Sequence, residues 1–350
     1  MTNKPHILIT GPIAPPFGGI SIHIKRLCAS LQEGFNIQLV DESKNIKKGI
    51  FNIRSLHLFQ YIKLVKASNL IFIHSGNRLF KKFHILFSKL IGKKTIITIH
   101  GYGNRRSFPF RIIDQLIFSM ADRIILVNNE IHHKLSLPKE KCIVMHAFLP
   151  PDLNEEPPIP TAIQNDLDAA RKNGKCIIVA NASRLDTFNG EDLYGLDISI
   201  EAAIRMKKKH LNFCFIFTVS ALDQGKDKYE KAVAEIEKNG LQNDFHLHAG
   251  VISFPKLIVE SDIVIRPTNT DGDSLSIREA IYFGKPIIAS DVVARPEGTI
   301  LFKTRNAEDL SDILEKWMPQ IKNNVTEPAH NRKDTSVFYR NLLNDVINKS

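Results

Sequence analysis

The sequence has no closely spaced pair of cysteines. Its four, Cys28, Cys142, Cys176 and Cys214, are scattered along the chain. That spacing excludes a CxxC zinc or redox motif and fits reduced thiols. No apolar run approaches the ~20 residues that a bilayer-spanning helix needs. No signal-peptide pattern precedes the first apolar stretch, Ile7 to Thr10. A cytoplasmic protein without membrane spans is therefore expected. Repeats at solenoid periods and low-complexity tracts are missing as well. So are the GxGxxG fingerprint and the Walker phosphate loop, which argues against a simple dehydrogenase or ATPase.

What is there begins with length. The 350 residues suggest two domains, each large enough to bury its own core without disulfides or a structural metal. Hydrophobic residues at 43% and charged residues at 24% are ordinary for a globular protein. The net charge of +10 is unevenly placed. Residues 1–150 hold 22 Lys/Arg against 7 Asp/Glu, a charge of +15; the remainder holds 25 against 30, a charge of −5. The basic half is expected to meet an anionic surface or substrate.

Short apolar runs alternate with amphipathic stretches. His6–Thr10, Ile37–Asp41, Leu70–His74, Thr95–His100 and Arg123–Asn128 read as strands, and Gly19–Leu31, Phe80–Leu90 and Phe110–Met120 as helices. Strands alternating with helices imply a parallel sheet covered on both faces. Residues 149–160 are rich in proline and acids, cannot continue a helix or a central strand, and read as a linker. The pattern then restarts with strands at Cys176–Ala180, Phe213–Val219, Phe245–Leu247, Ile263–Arg266 and Pro286–Ser290, and helices at Asp197–Lys208, Lys226–Asn239 and Ser276–Phe283. Two α/β halves result. In such sheets ligands bind at the carboxyl ends of the strands, and two halves facing each other would enclose a cleft.

Four strand-end loops carry candidate chemistry. Gly18 and Gly19 lie where the first strand turns into the first helix; they admit a ligand to the backbone, and the free amides of the helix start favour an anion. The alternative is a simple tight turn. His100, in Thr98-Ile-His100-Gly-Tyr-Gly103, is placed to bind a hydroxyl or a phosphate, or merely caps its strand. Arg184, in Asn181-Ala-Ser-Arg184, offers a guanidinium that pairs two phosphate oxygens at once, or a surface ion pair.

The fourth loop is the most informative. Arg266 leads through Asp271, Gly272, Asp273, Ser274 and Leu275 into a helix that carries Glu279 and stops at Gly284. The loop amides crown a helix N-terminus, a ready phosphate site. A buried Glu279 would accept two hydrogen bonds from a ribose diol. Asp271-Gly-Asp273 also has the D-x-D form that holds Mg²⁺ or Mn²⁺; the reading preferred here is that Asp273 caps the helix.

At these residues the sequence resembles glycosyltransferase family 4, of the GT-B fold, over nearly the whole chain. Gly18-Gly19 resembles its first glycine-rich loop. Ala121 to Asn128 resembles A-D-x-I-I-x-V-S, Gly195-Leu-Asp197 with Ala202 resembles G-x-D-x-x-I-x-A, and Asp271-x₇-Glu279 with Gly284-Lys-Pro286 resembles E-x₇-E followed by G-x-P. The resemblance implies two Rossmann-like domains facing a cleft, residues 1–150 for the acceptor and 151–333 for the donor, with a helix at 334–350 crossing back onto the first. It implies retaining transfer from a nucleotide sugar, a UDP-sugar favoured, with no cofactor and no essential metal. By it, Arg184 and the amides of Ser274 and Leu275 hold the diphosphate, with Gly272 and Asp273 in the same loop. Glu279 takes the ribose, Asp271 the sugar, and His100 lies near the reacting centre. Three departures stand out. The first acid is Asp271 rather than Glu. The lysine expected before Gly195 is Tyr194, with Arg266 or Lys226 as substitutes for its charge. The linker motif P-N-G-V-D is replaced by residues 146–150.

The basic half mixes apolar and cationic residues in residues 80–94, and Arg105, Arg106 and Arg111 follow near Phe108 and Phe110. Such a surface suits the anionic inner face of a plasma membrane and a lipid-diphosphate-linked acceptor, as in bacterial surface polysaccharide assembly. An ordinary solvated helix face is the alternative. A non-catalytic nucleotide-sugar-binding homologue, an enzyme that cleaves or epimerises a nucleotide sugar, and a nucleic-acid-binding protein are the competing functions. The last lacks any recognisable nucleic-acid module and leaves Asp271 and Glu279 without a purpose.

Overall fold

The computed structural model describes residues 4–15, 18–102, 108–145, 148–222, 225–321 and 335–348. Its contacts divide the chain into two units. Unit 1 is residues 1–149 together with 333–350, and unit 2 is residues 150–332.

Unit 1 contains strands β1 (His6–Gly11), β2 (Asn36–Asp41), β3 (Phe51–Asn52), β4 (Leu70–Ile73), β5 (Lys94–Ile99), β6 (Arg123–Leu126) and β7 (Cys142–Val144). They form one parallel sheet in the order β3-β2-β1-β4-β5-β6-β7. Between them run α1 (Gly19–Leu31), α2 (Leu58–Ala67), α3 (Arg78–Leu90), α4 (Phe108–Ser119) and α5 (Asn129–Lys134). Helices cover both faces, so the central strands are apolar on both sides and read as continuous runs. All four residues of β4 are fully buried. Alternation sorts their side chains between two cores. Leu8, Ile71, Ile73 and Ile97 pack with Tyr61 and Val65 of α2 and Ile85 of α3. Ile7, Ile9, Phe72 and Ile96 pack with Ile24 and Leu27 of α1 and with residues Tyr339, Leu342 and Leu343, far along the chain.

Unit 2 opens with α6 (Thr161–Lys172). It continues with β8 (Cys176–Arg184), β9 (Thr187–Phe188), β10 (Glu191–Asp192), α7 (Leu196–Lys208), β11 (Phe213–Ala221), α8 (Lys226–Lys238), β12 (Phe245–Ala249) and α9 (Phe254–Glu260). Then come β13 (Ile263–Arg266), α10 (Leu275–Tyr282), β14 (Ile287–Ser290), β15 (Thr299–Phe302) and α11 (Ala307–Ile321). Six of the strands form a parallel sheet ordered β12-β11-β8-β13-β14-β15. Its two faces bury Phe213, Phe215 and Phe217 with α7, α8 and α11 on one side, and Ile177, Val179 and Ile216 with α6, α9 and α10 on the other. Strands β9 and β10 pair antiparallel across Asn189-Gly190, both at positive φ (53° and 85°). Asn-Gly is the dipeptide that a two-residue hairpin turn of this hand favours.

Finally α12 (Thr335–Asn348) returns to unit 1. It buries Tyr339, Leu342, Leu343 and Val346, and Lys94 Nζ donates to the Val346 carbonyl at 3.0 Å.

In each sheet the chain builds outward from one strand and then jumps to its other side. The jump falls between β1 and β4 in unit 1 and between β8 and β13 in unit 2. A crevice opens at the carboxyl ends of the strands at such a reversal, and it is the place where open α/β sheets hold ligands.

Candidate functional site

At the reversal in unit 2, β8 ends at Asn181–Arg184 and β13 ends at Arg266. Asp271 lies at the centre of the polar cluster there. Arg266 donates to it through Nε (3.0 Å) and Nη2 (3.2 Å), and Arg295 through Nη1 (2.8 Å). Thr268 Oγ1 and the Gly272 amide add two more donors, at 3.2 and 3.0 Å. Burial alone would raise the Asp271 pKa; the Arg266 and Arg295 guanidiniums overcome it and hold the carboxyl at about 2. Arg295 is itself fixed by Ser290 and Thr268. The cluster of two guanidiniums and one carboxylate keeps one positive charge in excess, placed at the crevice with little water to screen it.

Tyr194 stands where the resemblance expects a lysine. Its hydroxyl meets Ser183 Oγ at 2.6 Å, and the Arg266 guanidinium lies over its ring, 5.3 Å from the centroid. The charge beside Tyr194 is thus that of Arg266, while Lys226 sits in α8 beside Glu230. The neighbouring Gly195 begins α7 at φ 71°. A Cβ there would meet the Pro267 carbonyl oxygen at 2.0 Å. Only glycine lets α7 start this close to the loop that follows β13.

Helix α10 starts after Ser274, which makes no side-chain cap bond. This corrects the expectation for Asp273: its carboxylate pairs with Arg278 Nε at 2.6 Å instead of capping the helix. An i,i+5 partner of opposite charge outbids the amides for the short side chain, and a charge-assisted bond is the stronger of the two. Amides at the start of α10 therefore carry no side-chain cap. A Cβ on Gly272 would meet nothing within 4 Å, so the loop is open to a ligand's approach. Glu279 is buried on α10, at 3% exposure. Arg184 is exposed and pairs with Asp186 at 3.0 Å. The side-chain carbonyl oxygens of Asn181 and Asn269 are buried without a hydrogen-bond partner among the described residues, two acceptors left for a ligand. Asp271 and Asp273 of the D-x-D pair are each held by arginines. Among the described residues no group of three metal-ligating side chains includes either.

The reversal in unit 1 gathers imidazoles. His74 follows β4, His100 follows β5, and His23 is on α1. His74 Nδ1 and His100 Nε2 are 3.2 Å apart, and ring nitrogens of all three lie within 4.8 Å of one another. Burial, then the neighbouring imidazoles, pushes His74 and His100 well below the usual histidine pKa. Both are neutral at pH 7, able to give or take a hydrogen bond. Lys81 of α3 is 3% exposed, and burial lowers its ammonium to about 8. Gly18 caps α1 through its backbone, exchanging bonds with Ser21 Oγ at 2.9 and 3.0 Å. Neither Gly18 nor Gly19 has an atom within 4 Å of where a Cβ would stand. Arg105, Arg106 and His146, and the side chain of Phe108, lie outside the described residues.

Residues 182–319 match the family model of glycosyl transferases group 1. That group 1 segment holds Arg184, Gly195, Arg266, Asp271, Glu279 and Arg295. No curated protein sequence matches the chain. Solved structures are similar over nearly its whole length. A glycosyltransferase from Rickettsia africae is 16% identical, covering 99% of this chain and 100% of its own, with a TM-score of 0.72. Anabaena HepE in complex with UDP is 16% identical, covering 97% and 99%, at 0.71. WaaG, a glycosyltransferase involved in lipopolysaccharide biosynthesis, is 13% identical, covering 98% and 100%, at 0.57. The fold is GT-B.

Arg295 is the residue that sequence reasoning missed. It lies 24 positions beyond Asp271, in a stretch with no phosphate-loop pattern. Its one signal is an arginine placed five residues after Ser290, at the end of an apolar strand.

Proposed function

We propose that the protein transfers a sugar from a nucleotide sugar, a UDP-sugar in the favoured case, to a lipid-linked or glycan acceptor in bacterial surface polysaccharide assembly, with retention of configuration. The observation that carries this reading is the cationic cradle at the β8/β13 reversal. Arg266 and Arg295 clasp Asp271 beside an α10 N-terminus that has no side-chain cap, all within the group 1 segment. HepE, similar in fold, was solved with UDP.

In the reaction the bond between the sugar's anomeric carbon and the diphosphate breaks. The nucleoside diphosphate leaves with added negative charge, and an acceptor hydroxyl bonds to the same carbon and loses its proton. Arg184 and the amides of Ser274 and Leu275 hold the diphosphate, and Gly272 and Asp273 shape that loop. Glu279 binds the ribose diol. Asp271, already surrounded by donors, acts by aiming Arg266 and Arg295 and by bordering the sugar. His100, neutral and hydrogen-bonded to His74, contacts the sugar near the reacting centre; Gly18 and Gly19 let substrate approach the backbone. No metal takes part in this scheme. The basic unit 1 rests on the anionic inner face of the plasma membrane, where the acceptor is anchored.

Purified protein titrated with UDP, GDP and ADP in a thermal-shift assay is expected to be stabilised by UDP alone, by several degrees at millimolar nucleotide, and Glu279→Ala to abolish the shift. Sugar transfer in EDTA is expected to match transfer in Mn²⁺. Absence of a shift with every nucleotide would overturn the proposal. A shift without turnover would favour the non-catalytic reading, which the replacement of the expected lysine by Tyr194 supports.

A further inference from the structure

Unit 1 contains a second recess, away from the imidazoles. A cavity of about 390 Å³ opens where α2 and α3 meet the end of β3, walled by Phe51, Ile53, Leu58, Phe80 and Phe83, with Leu56 at its edge. Its volume lies in the range of ordinary ligand pockets. Tyr61 also lines it, but its hydroxyl is taken by His84 Nδ1 at 2.6 Å, so it contributes ring surface only. Nothing in the wall beyond His57 offers a hydrogen bond. The occupant must be apolar.

Three observations identify that occupant. First, the surroundings are apolar where water would favour polar groups. Leu56 is 86% exposed, Phe59 90% and Leu79 71%. Second, Leu56 adopts the left-handed backbone (φ 58°, ψ 16°), uncommon for a branched side chain. Strain of this kind persists where the surrounding structure holds it, and it clusters at ligand sites. Third, none of the side chains lining the cavity is acidic. From Ser43 to Ile113 the sequence contains fifteen Lys/Arg and no Asp or Glu. Arg54 lies against the cavity wall with its guanidinium 5.0 Å over the Phe80 ring, and Lys63 and Lys66 are exposed along α2. Large exposed aliphatic and aromatic side chains flanked by Arg54, Lys63 and Lys66 match a membrane interface with anionic headgroups.

We infer that this cavity takes the hydrocarbon chain of an anionic, phosphate-bearing lipid, with Arg54 meeting the phosphate and Leu56, Phe59 and Leu79 entering the surrounding acyl layer. The inference rests on the lipid-linked acceptor proposed above only for the statement that this lipid is the acceptor; the binding itself is independent of any donor.

The probes are farnesyl monophosphate in calorimetry and vesicles of phosphatidylglycerol or phosphatidylcholine in flotation, all with the full chain. The protein is expected to bind farnesyl monophosphate and to float with phosphatidylglycerol but not phosphatidylcholine vesicles. Leu58→Trp, which fills the cavity from a half-exposed position, is expected to weaken farnesyl monophosphate binding at least tenfold. The double variant Leu56→Asn, Phe59→Ser removes two exposed side chains, and asparagine tolerates the left-handed backbone; it is expected to lower vesicle partitioning about tenfold or more while its melting temperature holds. UDP titration of both variants is expected to match the parent protein. Farnesyl monophosphate binding that is absent, or unchanged in Leu58→Trp, would overturn the inference. So would a dimer in analytical ultracentrifugation that the double variant abolishes without any lipid binding, since a second copy would then be the occupant. Lipid binding without UDP binding would leave this inference standing and sink the donor reading.

Discussion

Two glycines of unit 2 are predicted to respond differently to the same added methyl group. At Gly195 a Cβ would overlap the Pro267 carbonyl, 2.0 Å away, on a backbone at φ 71°. Gly195→Ala is expected to cost about 2 kcal/mol or more, lowering the melting temperature of unit 2 by about 5 °C or more. At Gly272 the added atom meets nothing within 4 Å. Gly272→Ala is expected to melt within about 1 °C of the parent and to weaken UDP binding, because the space it enters is the one proposed for the ligand. Calorimetric melting and a UDP titration check both. Individual residues were legible in the sequence where a spacing carried them. The interval from Asp271 to Glu279 and the glycine before α7 are local patterns. Arg295 was not legible, because its tie to Asp271 is made through the sheet and leaves no trace in nearby sequence. The ion pair of Asp273 with Arg278 was misread as a cap, since a short acid just before a helix suits both roles until the arginine's position is known.

At the scale of elements, the ends of β4 and β5 set a pH dependence. His74 and His100 have folded-state pKa values below those of the unfolded chain. As pH falls through about 6.5 the unfolded chain takes up protons that the folded state refuses, so stability is full above that pH and is lost below it. The slope approaches about 2.7 kcal/mol per pH unit for two such groups. Urea denaturation between pH 7 and pH 5 is expected to show this loss, and His74→Asn to halve the slope; an unchanged slope in that variant would contradict the assignment. Central strands such as β4 and β11 were readable because burial on both faces demands unbroken apolar runs. Short edge strands were not. In β7 all three residues keep some exposure, which erases the run. The β9–β10 hairpin is absent from the strands read in the sequence, although Asn189-Gly190 marks its turn. Helix α6 escaped notice because only Ile163, Leu167 and Ala170 of it are buried, a stripe too narrow to stand out beside a proline-rich approach.

At the scale of the molecule, alternation of strands and helices in two rounds was enough to specify two α/β units with parallel sheets, since parallel sheets need crossover helices and each round supplies one sheet; the GT-B class came from the resemblance of the motifs. The interplay between distant segments was harder to see. Helix α12 belongs to unit 1 although all of unit 2 precedes it, and its amphipathic pattern alone does not say which sheet it covers. Leu343 of α12 is fully buried against the unit 1 sheet. Leu343→Ala is expected to destabilise unit 1 by roughly 2–5 kcal/mol. Differential scanning calorimetry should then show an earlier transition for unit 1, with that of unit 2, and the stabilisation by UDP, left in place.

That arrangement also bears on how the protein is made. When the ribosome has finished β7, the sheet of unit 1 is complete, but the layer over Ile7, Ile9 and Phe72 lacks Tyr339 and Leu343. Synthesis of unit 2 takes roughly 10 to 40 s at ordinary elongation rates. Throughout that interval the nascent sheet carries an uncovered apolar strip, open to a chaperone or to a neighbouring nascent chain, until α12 emerges and closes it.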